Sequence, residues 1–249
     1  MTASIGSPSV ITGMLLLLGQ SQTGTVSPQS PPVTRLADQY VVEEQIGSGG
    51  FATVWMARDT TGGPDIAVKF PKEPSETAHS SSEIAARFRQ EYDSYSRFEG
   101  APLPSSIARF VIGSRSDPAY IGMELLDGIE LGDLLATGTT RPGLSTMRTY
   151  GFPVVRALAY LHMNGVCHLD CKPDNVMVRS GTDSPALIDF NTVAAKNDAG
   201  STLFYEDAYK PPEQTPSQKR DEPVGPWSDV YAVAKLLCYL VSGRTLDTS

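Results

Sequence analysis

Cysteine is scarce in this chain. Only Cys167, Cys171 and Cys238 occur, an odd number, and no two have the Cys-x-x-Cys spacing. That argues against a disulfide scaffold and against a structural zinc site, and it implies a reducing compartment, so the expected localisation is cytoplasmic. Long hydrophobic runs are missing too. The nearest candidate, VITGMLLLL from Val10 to Leu18, is too short to span a bilayer. No Lys or Arg precedes it, as the basic start of a secretory leader would require. No membrane partner is expected. Positive charge is in deficit, with 20 Lys and Arg against 28 Asp and Glu and a formal net charge of -8. Such a surface repels polyanions, so no nucleic acid partner is expected. What remains is ordinary globular composition, 40% hydrophobic and 19% charged. At 249 residues the chain is long enough for one large domain or two small lobes with real cores.

Residues 1–38 lack charge almost entirely, carrying only Arg35 and Asp38, and are rich in Ser, Thr, Gly and Pro. The stretch SPQSPP at 27–32 cannot sustain a helix or a central strand. A disordered tail over 1–38 is expected, followed by a single domain over 39–249. From Tyr40, YVVEEQIGSGGFATVWMARD reads as strand, glycine turn, strand, and DIAVKF (65–70) as a third strand. SSEIAARFRQEYDSYSRF (81–98) has Ile84, Phe88, Tyr92 and Tyr95 at helix spacing, with Ser81 or Ser82 as a suitable N-cap. RFVIGSR and AYIGMELL read as two more strands around Ser116, Asp117 and Pro118.

The second half reads as mainly helical. Met147 to Asn164 carries an apolar face through Val154, Leu158 and Leu161, and Gly165 stops it. Short strands are expected at NVMV (175–178) and ALID (186–189), then a loop to about Pro212. Asp229 to Val241 is apolar on nearly every side, which predicts a helix buried all round. Few apolar residues follow it, so the cover for that helix is expected from further chain or from a partner. The oligomeric state stays open.

Four sets of residues carry chemistry. Gly47, Gly49 and Gly50 sit in a turn between two strands, where backbone N–H groups can approach phosphate closely. Lys69 lies on a strand between apolar neighbours, where a buried ammonium needs a partner, and Glu91 on the next helix is the candidate. His168-Leu169-Asp170-Cys171-Lys172-Pro173-Asp174-Asn175 is the densest cluster. There a carboxylate can accept a hydroxyl proton, a lysine can neutralise a transferring phosphoryl group, and an amide oxygen can hold a metal. Asp189, followed by Phe190 and Asn191, adds a second carboxylate suited to a hard cation such as Mg²⁺.

The order glycine loop, Ala-Val-Lys, helix Glu, His-x-Asp-x-Lys-Pro-x-Asn, Asp-Phe, Pro-Pro-Glu resembles that of the eukaryotic-type protein kinase family over about residues 40 to 243. The resemblance implies an α+β, two-lobe fold. A small antiparallel sheet with one helix forms an N-lobe over about 39–124, and a mainly helical C-lobe, incomplete at its end, spans about 127–249. It implies a protein kinase that uses ATP and Mg²⁺, with Gly47, Gly49 and Val54 in the loop over the phosphates. Lys69 would hold the α- and β-phosphates and pair with Glu91. Met123 would be the gatekeeper, and Glu124 to Leu126 the hinge whose backbone reads adenine. Ile46, Val54, Ala67 and Met177 would sandwich the base. Asp170 would be the catalytic aspartate, Lys172 the phosphate contact, and Asn175 and Asp189 the Mg²⁺ ligands. Pro212-Glu213 would end the activation segment, and Asp229 would support the catalytic loop from a buried helix. Lys172 marks the branch acting on Ser and Thr of protein substrates.

The chain departs from that family in places. Leu169 stands where an Arg usually pairs with a phosphorylated loop, so switching by phosphorylation of a residue such as Thr202 is not expected. Ala52 replaces the third glycine of the loop, Asn191 the Gly after Asp-Phe, and Pro211 the Ala before Pro-Glu. Glu206 occupies the place of a Thr that contacts the catalytic Asp and Lys, and an acid there would repel Asp170. Glu213 would lack the Arg that later helices supply. These departures keep open an alternative, a catalytically impaired, pseudokinase-like module that binds nucleotide or a partner. A small-molecule kinase of the same fold fits less well, because Lys172-Pro173 and the Pro-Pro-Glu segment differ from those families. Reduced stability is expected of a C-lobe that stops short, and a sharp cooperative melt would contradict that.

Overall fold

Branched and aromatic residues at alternating positions make the stretch from Tyr40 a strand former. In the structure, a computed structural model that describes residues 30–189, 208–214 and 224–245, this stretch builds a six-stranded sheet. Its strands are β1 (Arg35–Leu36), β2 (Tyr40–Ser48), β3 (Ala52–Asp59), β4 (Ile66–Pro71), β5 (Phe110–Ser114) and β6 (Tyr120–Glu124). They are antiparallel throughout, in the order β1-β2-β3-β4-β6-β5. Two register shifts in β2, between Val42 and Glu44 and between Gln45 and Gly47, bend it where it nears the glycine turn. The apolar patch at 10–18, Phe190, Asn191, Thr202 and Glu206 lie outside the described residues.

The expected end of the tail at residue 38 is corrected. Arg35 and Leu36 pair with Val41 and Tyr40, and Leu36 packs into the cluster of Tyr40, Val42, Trp55 and Phe70. Burying Leu36 supplies the free energy that orders this edge.

α1 (Ser81–Ser96) crosses behind β4 and β5 and buries Ile84, Phe88, Glu91 and Tyr95. Its N-cap is Ser80, not Ser81 or Ser82. The Glu83 carboxylate accepts from Ser80 N at 2.8 Å, and the Ser80 hydroxyl oxygen accepts from Glu83 N at 3.4 Å. That reciprocal pair requires the acid three places after the cap, and Ser80 alone satisfies it.

β7 (Gly128–Glu130) and α2 (Leu131–Ala136) follow the sheet, and neither is foreseen from the sequence. β7 pairs with β8 (Val176–Arg179), which pairs with β9 (Pro185–Leu187). The expected helix from Met147 begins earlier, as α3 (Leu144–Thr146), and passes through a π turn at Met147–Gly151 into α4 (Phe152–Met163). Pro153 has no N–H for the i→i−4 ladder, and the wider turn before it relieves its ring. Gly151 faces α5 (Pro226–Ser242) so closely that an added Cβ would lie 2.4 Å from Leu237 Cδ2. Gly165, at φ +72°, stops the helix as expected.

α5 is not buried all round. Asp229, Ala232, Val233, Leu236 and Leu240 form one inward stripe, whereas Trp227, Val230 and Val241 are 51%, 59% and 37% exposed. One core runs through both lobes, joining Phe88, Tyr95 and Ile121 above to Leu158, Leu187 and Leu236 below. No helix among the described residues is long and apolar enough to cross a membrane.

Candidate active site

Strand alternation turns Lys69 inward from the middle of β4, and the stripe on α1 turns Glu91 toward it. Lys69 Nζ lies 2.8 Å from Glu91 Oε1 and 2.8 Å from Asp189 Oδ1. The three side chains are 9%, 3% and 16% exposed. Burial works to lower the Lys69 pKa, but the charges of Asp189 and Glu91 outweigh it and hold the ammonium above its ordinary value. Burial raises the Glu91 carboxyl, against the pull of Lys69, and Asp189 adds to the rise. The lysine is thus a fixed cation shared by two carboxylates that reach it from different lobes.

Below it, the loop from His168 to Asn175 hangs on α5. Asp229 is fully buried, and its Oδ2 accepts from His168 N at 2.8 Å while Oδ1 accepts from Leu169 N at 2.6 Å. His162 Nε2 on α4 approaches the same Oδ2 at 2.7 Å. Among the described residues, His162, Cys167 and Asp229 form the one grouping of metal-ligand type. With both Asp229 oxygens engaged, these residues act as a lock. The His168 ring lies 3.0 Å from the Ile188 carbonyl through Nε2, and its Nδ1 accepts from Asp170 N at 3.3 Å. Leu169 adopts φ +61° and packs with Cys167 and Val224, a setting in which an Arg head would lie among apolar groups.

Asp170 is held on both oxygens. Asn175 Nδ2 donates to Oδ2 at 2.9 Å and to the Asp170 carbonyl at 2.8 Å, and Lys172 Nζ lies 3.8 Å from Oδ2. Lys210 Nζ is 2.9 Å from Oδ1. Sequence reasoning missed Lys210. No periodicity marks it, and its contact arises only because the segment at 208–214 folds back under the loop. The Cys171 thiol beside Asp170 is no nucleophile, because burial, then Asp229 and Asp170, push its pKa well up.

The remaining predicted residues gather around this centre. Ile46 and Ala67 cluster with Val54 and Leu125 on the upper side. Leu126 and Met177 cluster with Ala108 and Ile188 on the lower side. Met123 pairs with Ala67 across β6 and β4 and packs against the shared core. Gly47 pairs with Val54, and Gly49 N donates to the Ala52 carbonyl at 2.8 Å. The tip of that loop is held by Phe51, whose ring stacks on His79 at 3.8 Å under the Arg87 guanidinium at 3.6 Å. Glu124 gives its side chain to Arg179, with Nη1 2.7 Å from Oε1, and Arg179 Nη2 also donates to the Ser105 carbonyl at 3.1 Å. Glu213 accepts from Ser228 Oγ on α5 at 2.7 Å, a neutral donor rather than the Arg that the family resemblance implies.

The donor set suits Mg²⁺. Asn175 spends its amide N–H groups on Asp170, which leaves its oxygen to face a cation, and Asp189 brings a carboxylate that Lys69 engages through Oδ1. Ile188, next to Asp189, donates from its N to the Asn175 carbonyl at 2.9 Å and so ties the Asn175 and Asp189 segments together. Oxygen donors without sulfur or imidazole select a hard cation.

Glu130, at the end of β7, is 7% exposed, and its Oε1 has no hydrogen-bond partner among the described residues. Burial first, then Asp174 and Asp133, push its pKa from 4.5 up to about 8, against the pull of Lys172. Between those values the folded protein keeps a proton that the unfolded chain has lost. Stability is therefore full below the lower value and falls as pH rises toward the upper one. Glu130→Gln is expected to flatten that fall and to stabilise the protein at pH ~8.5 by about 1–3 kcal/mol. Thermal melts at pH ~6 and ~8.5 check it, and parallel pH slopes in the two proteins would contradict it.

An upper sheet that holds a paired lysine and a lower helical lobe that presents an acid loop define the two-lobe kinase fold. The chain belongs to the protein kinase domain family, whose model matches residues 40–248. It is 30% identical over 217 residues to serine/threonine-protein kinase PknB of Mycobacterium tuberculosis, covering 85% of this chain and 33% of that protein. It is 33% identical over 223 residues to the probable serine/threonine-protein kinase SCO3848 of Streptomyces coelicolor, covering 84% and 31%. Against the probable serine/threonine-protein kinase CE0033 of Corynebacterium efficiens the identity is 32% over 216 residues, covering 84% and 31%. The chain spans about a third of the length of these curated relatives.

Proposed function

We propose that this protein transfers the γ-phosphoryl group of Mg-ATP to serine or threonine hydroxyls of a protein substrate. The observation that carries the reading is the convergence of the Lys69 ion-pair triad with the Asp170–Asn175 loop, tied through Ile188. Lys69 presents a fixed positive charge to the α- and β-phosphates. Ile46, Val54, Ala67 and Met177 enclose adenine, whose edge is read by the backbone from Glu124 to Leu126. Asn175 and Asp189 would hold Mg²⁺, which when bound offsets phosphate charge and aligns the transferring group. Asp170 orients the substrate hydroxyl and takes its proton as the oxygen–phosphorus bond forms and the bond to ADP breaks. Lys172 compensates the charge on the transferring phosphoryl group. The relatives' names support Ser/Thr acceptors. The buried thiols of Cys167 and Cys171 fit a reducing, cytoplasmic setting.

The test is ADP release and phosphate incorporation from Mg-ATP. Asp170→Ala is expected to lower both at least ~10²-fold while nucleotide still binds. Leu169 in place of Arg favours the second reading, a module that binds nucleotide without turnover. Nucleotide binding with equal, negligible ADP release from wild type and Asp170→Ala would establish that reading.

A further inference from the structure

We propose that Lys210 is a positioning residue for phosphotransfer, a cation built into the chain that sets the geometry of Asp170 without an added phosphate. The inference rests on the phosphotransfer reading above.

Its ammonium is 2% exposed and makes two contacts at once. Nζ donates to the Leu169 carbonyl at 2.7 Å and lies 2.9 Å from Asp170 Oδ1. Burying a lysine costs several kcal/mol unless it is paired, so a position this deep is held by its partners. Gln214 Nε2 already donates to the same Leu169 carbonyl at 3.0 Å. That carbonyl has a neutral donor without Lys210. What the lysine adds is the salt link to Asp170.

That link fixes the carboxylate plane. Asn175 holds Oδ2 from one side and Lys210 holds Oδ1 from the other, so the Asp170 carboxylate cannot turn without breaking one of them. A carboxylate that must meet a hydroxyl within hydrogen-bond reach gains rate from such restraint.

Lys210 is itself positioned from α5. The backbone before it is tied by Lys235 Nζ, which donates to the Ala208 carbonyl at 2.7 Å, and the turn after it by Ser228 Oγ on Glu213 at 2.7 Å. α5 also carries Asp229, which fixes the N–H of Leu169. The peptide groups on both sides of Leu169, a residue held at φ +61°, are therefore referenced to one helix.

The experiment compares wild type, Lys210→Met and Lys210→Arg in steady-state kinetics with Mg-ATP and dephosphorylated casein, alongside thermal melts and a phosphatase-treated wild-type sample. Lys210→Met is expected to lower kcat ~30–100-fold with the KM for ATP within about twofold. Lys210→Arg, which keeps the charge, is expected to recover at least about a tenth of wild-type kcat and serves if the Met variant fails to fold. Phosphatase treatment is expected to leave kcat within about twofold. An active wild type with Lys210→Met inside ~3-fold of it overturns the proposal alone. So does an Arg variant no better than Met, or a wild type whose kcat falls to the level of Lys210→Met on phosphatase treatment. A wild type as inactive as Asp170→Ala overturns the phosphotransfer reading, and the proposal with it.

Discussion

Lys69→Met is expected to reduce phosphotransfer ~10²–10³-fold and to lower Tm by roughly 10 °C, because it removes the cation shared by the buried Glu91 and the partly buried Asp189. Breaking a buried pair by deleting one member costs about 3–5 kcal/mol, since the group left behind keeps its desolvation penalty. Here two groups are left behind. The Glu91 carboxyl, already raised by burial, rises further without Lys69 and takes up a proton in the folded state. The sign follows: the folded variant binds a proton that the unfolded chain does not, so its stability is greater at pH ~6 than at pH ~8. Wild type, with Lys69 charged, shows a smaller dependence from this site. Activity assays and melts at the two pH values check both parts. A variant as stable as wild type at pH ~8 would mean that water reaches the pair.

Asp229→Ala carries the second large effect. It leaves the N–H groups of His168 and Leu169 without their acceptor and releases His162. Each buried orphan costs about 1–3 kcal/mol, so a loss of roughly 3–5 kcal/mol and a Tm lower by about 10–15 °C are expected. Leu169 then has less reason to keep its left-handed backbone, and Asp170 moves with it. Any protein that remains folded is expected to bind nucleotide and to transfer phosphate at least ~10²-fold more slowly. A Tm within about 3 °C of wild type would show that water replaces the carboxylate.

Much of this was legible in the sequence for identifiable reasons. Lys69 and Glu91 were readable because strand alternation and a helical stripe each fix where a side chain points. Their meeting at 2.8 Å follows once α1 crosses β4. The loop from His168 to Asn175 was readable because its polar residues lie close in sequence. α1 was legible because Ile84, Phe88, Tyr92 and Tyr95 recur at helical spacing, although it ends at Ser96 rather than at residue 98 and its cap is Ser80.

What escaped notice depends on distant contacts or on elements too short to show a period. β1, β7 and α2 are too brief for either, and β1 holds its place through Leu36 alone among strong hydrophobes. Lys210, Gln214 and Lys235 acquire their roles from partners far along the chain, which no local pattern announces. The exposure of Val230 and Val241 was missed because composition counts apolar residues without knowing which neighbours reach them. Ser228 as the partner of Glu213 belongs to the same class.

Glu124 does more than end β6. Its side chain is clasped by Arg179, which also grips the Ser105 carbonyl, so the crossing between lobes carries a brace outside the backbone. For the lobes to part, that brace must stretch or let go. Under the proposed phosphotransfer reading, a brace that resists parting of the lobes would act on residence time, slowing the escape of spent nucleotide.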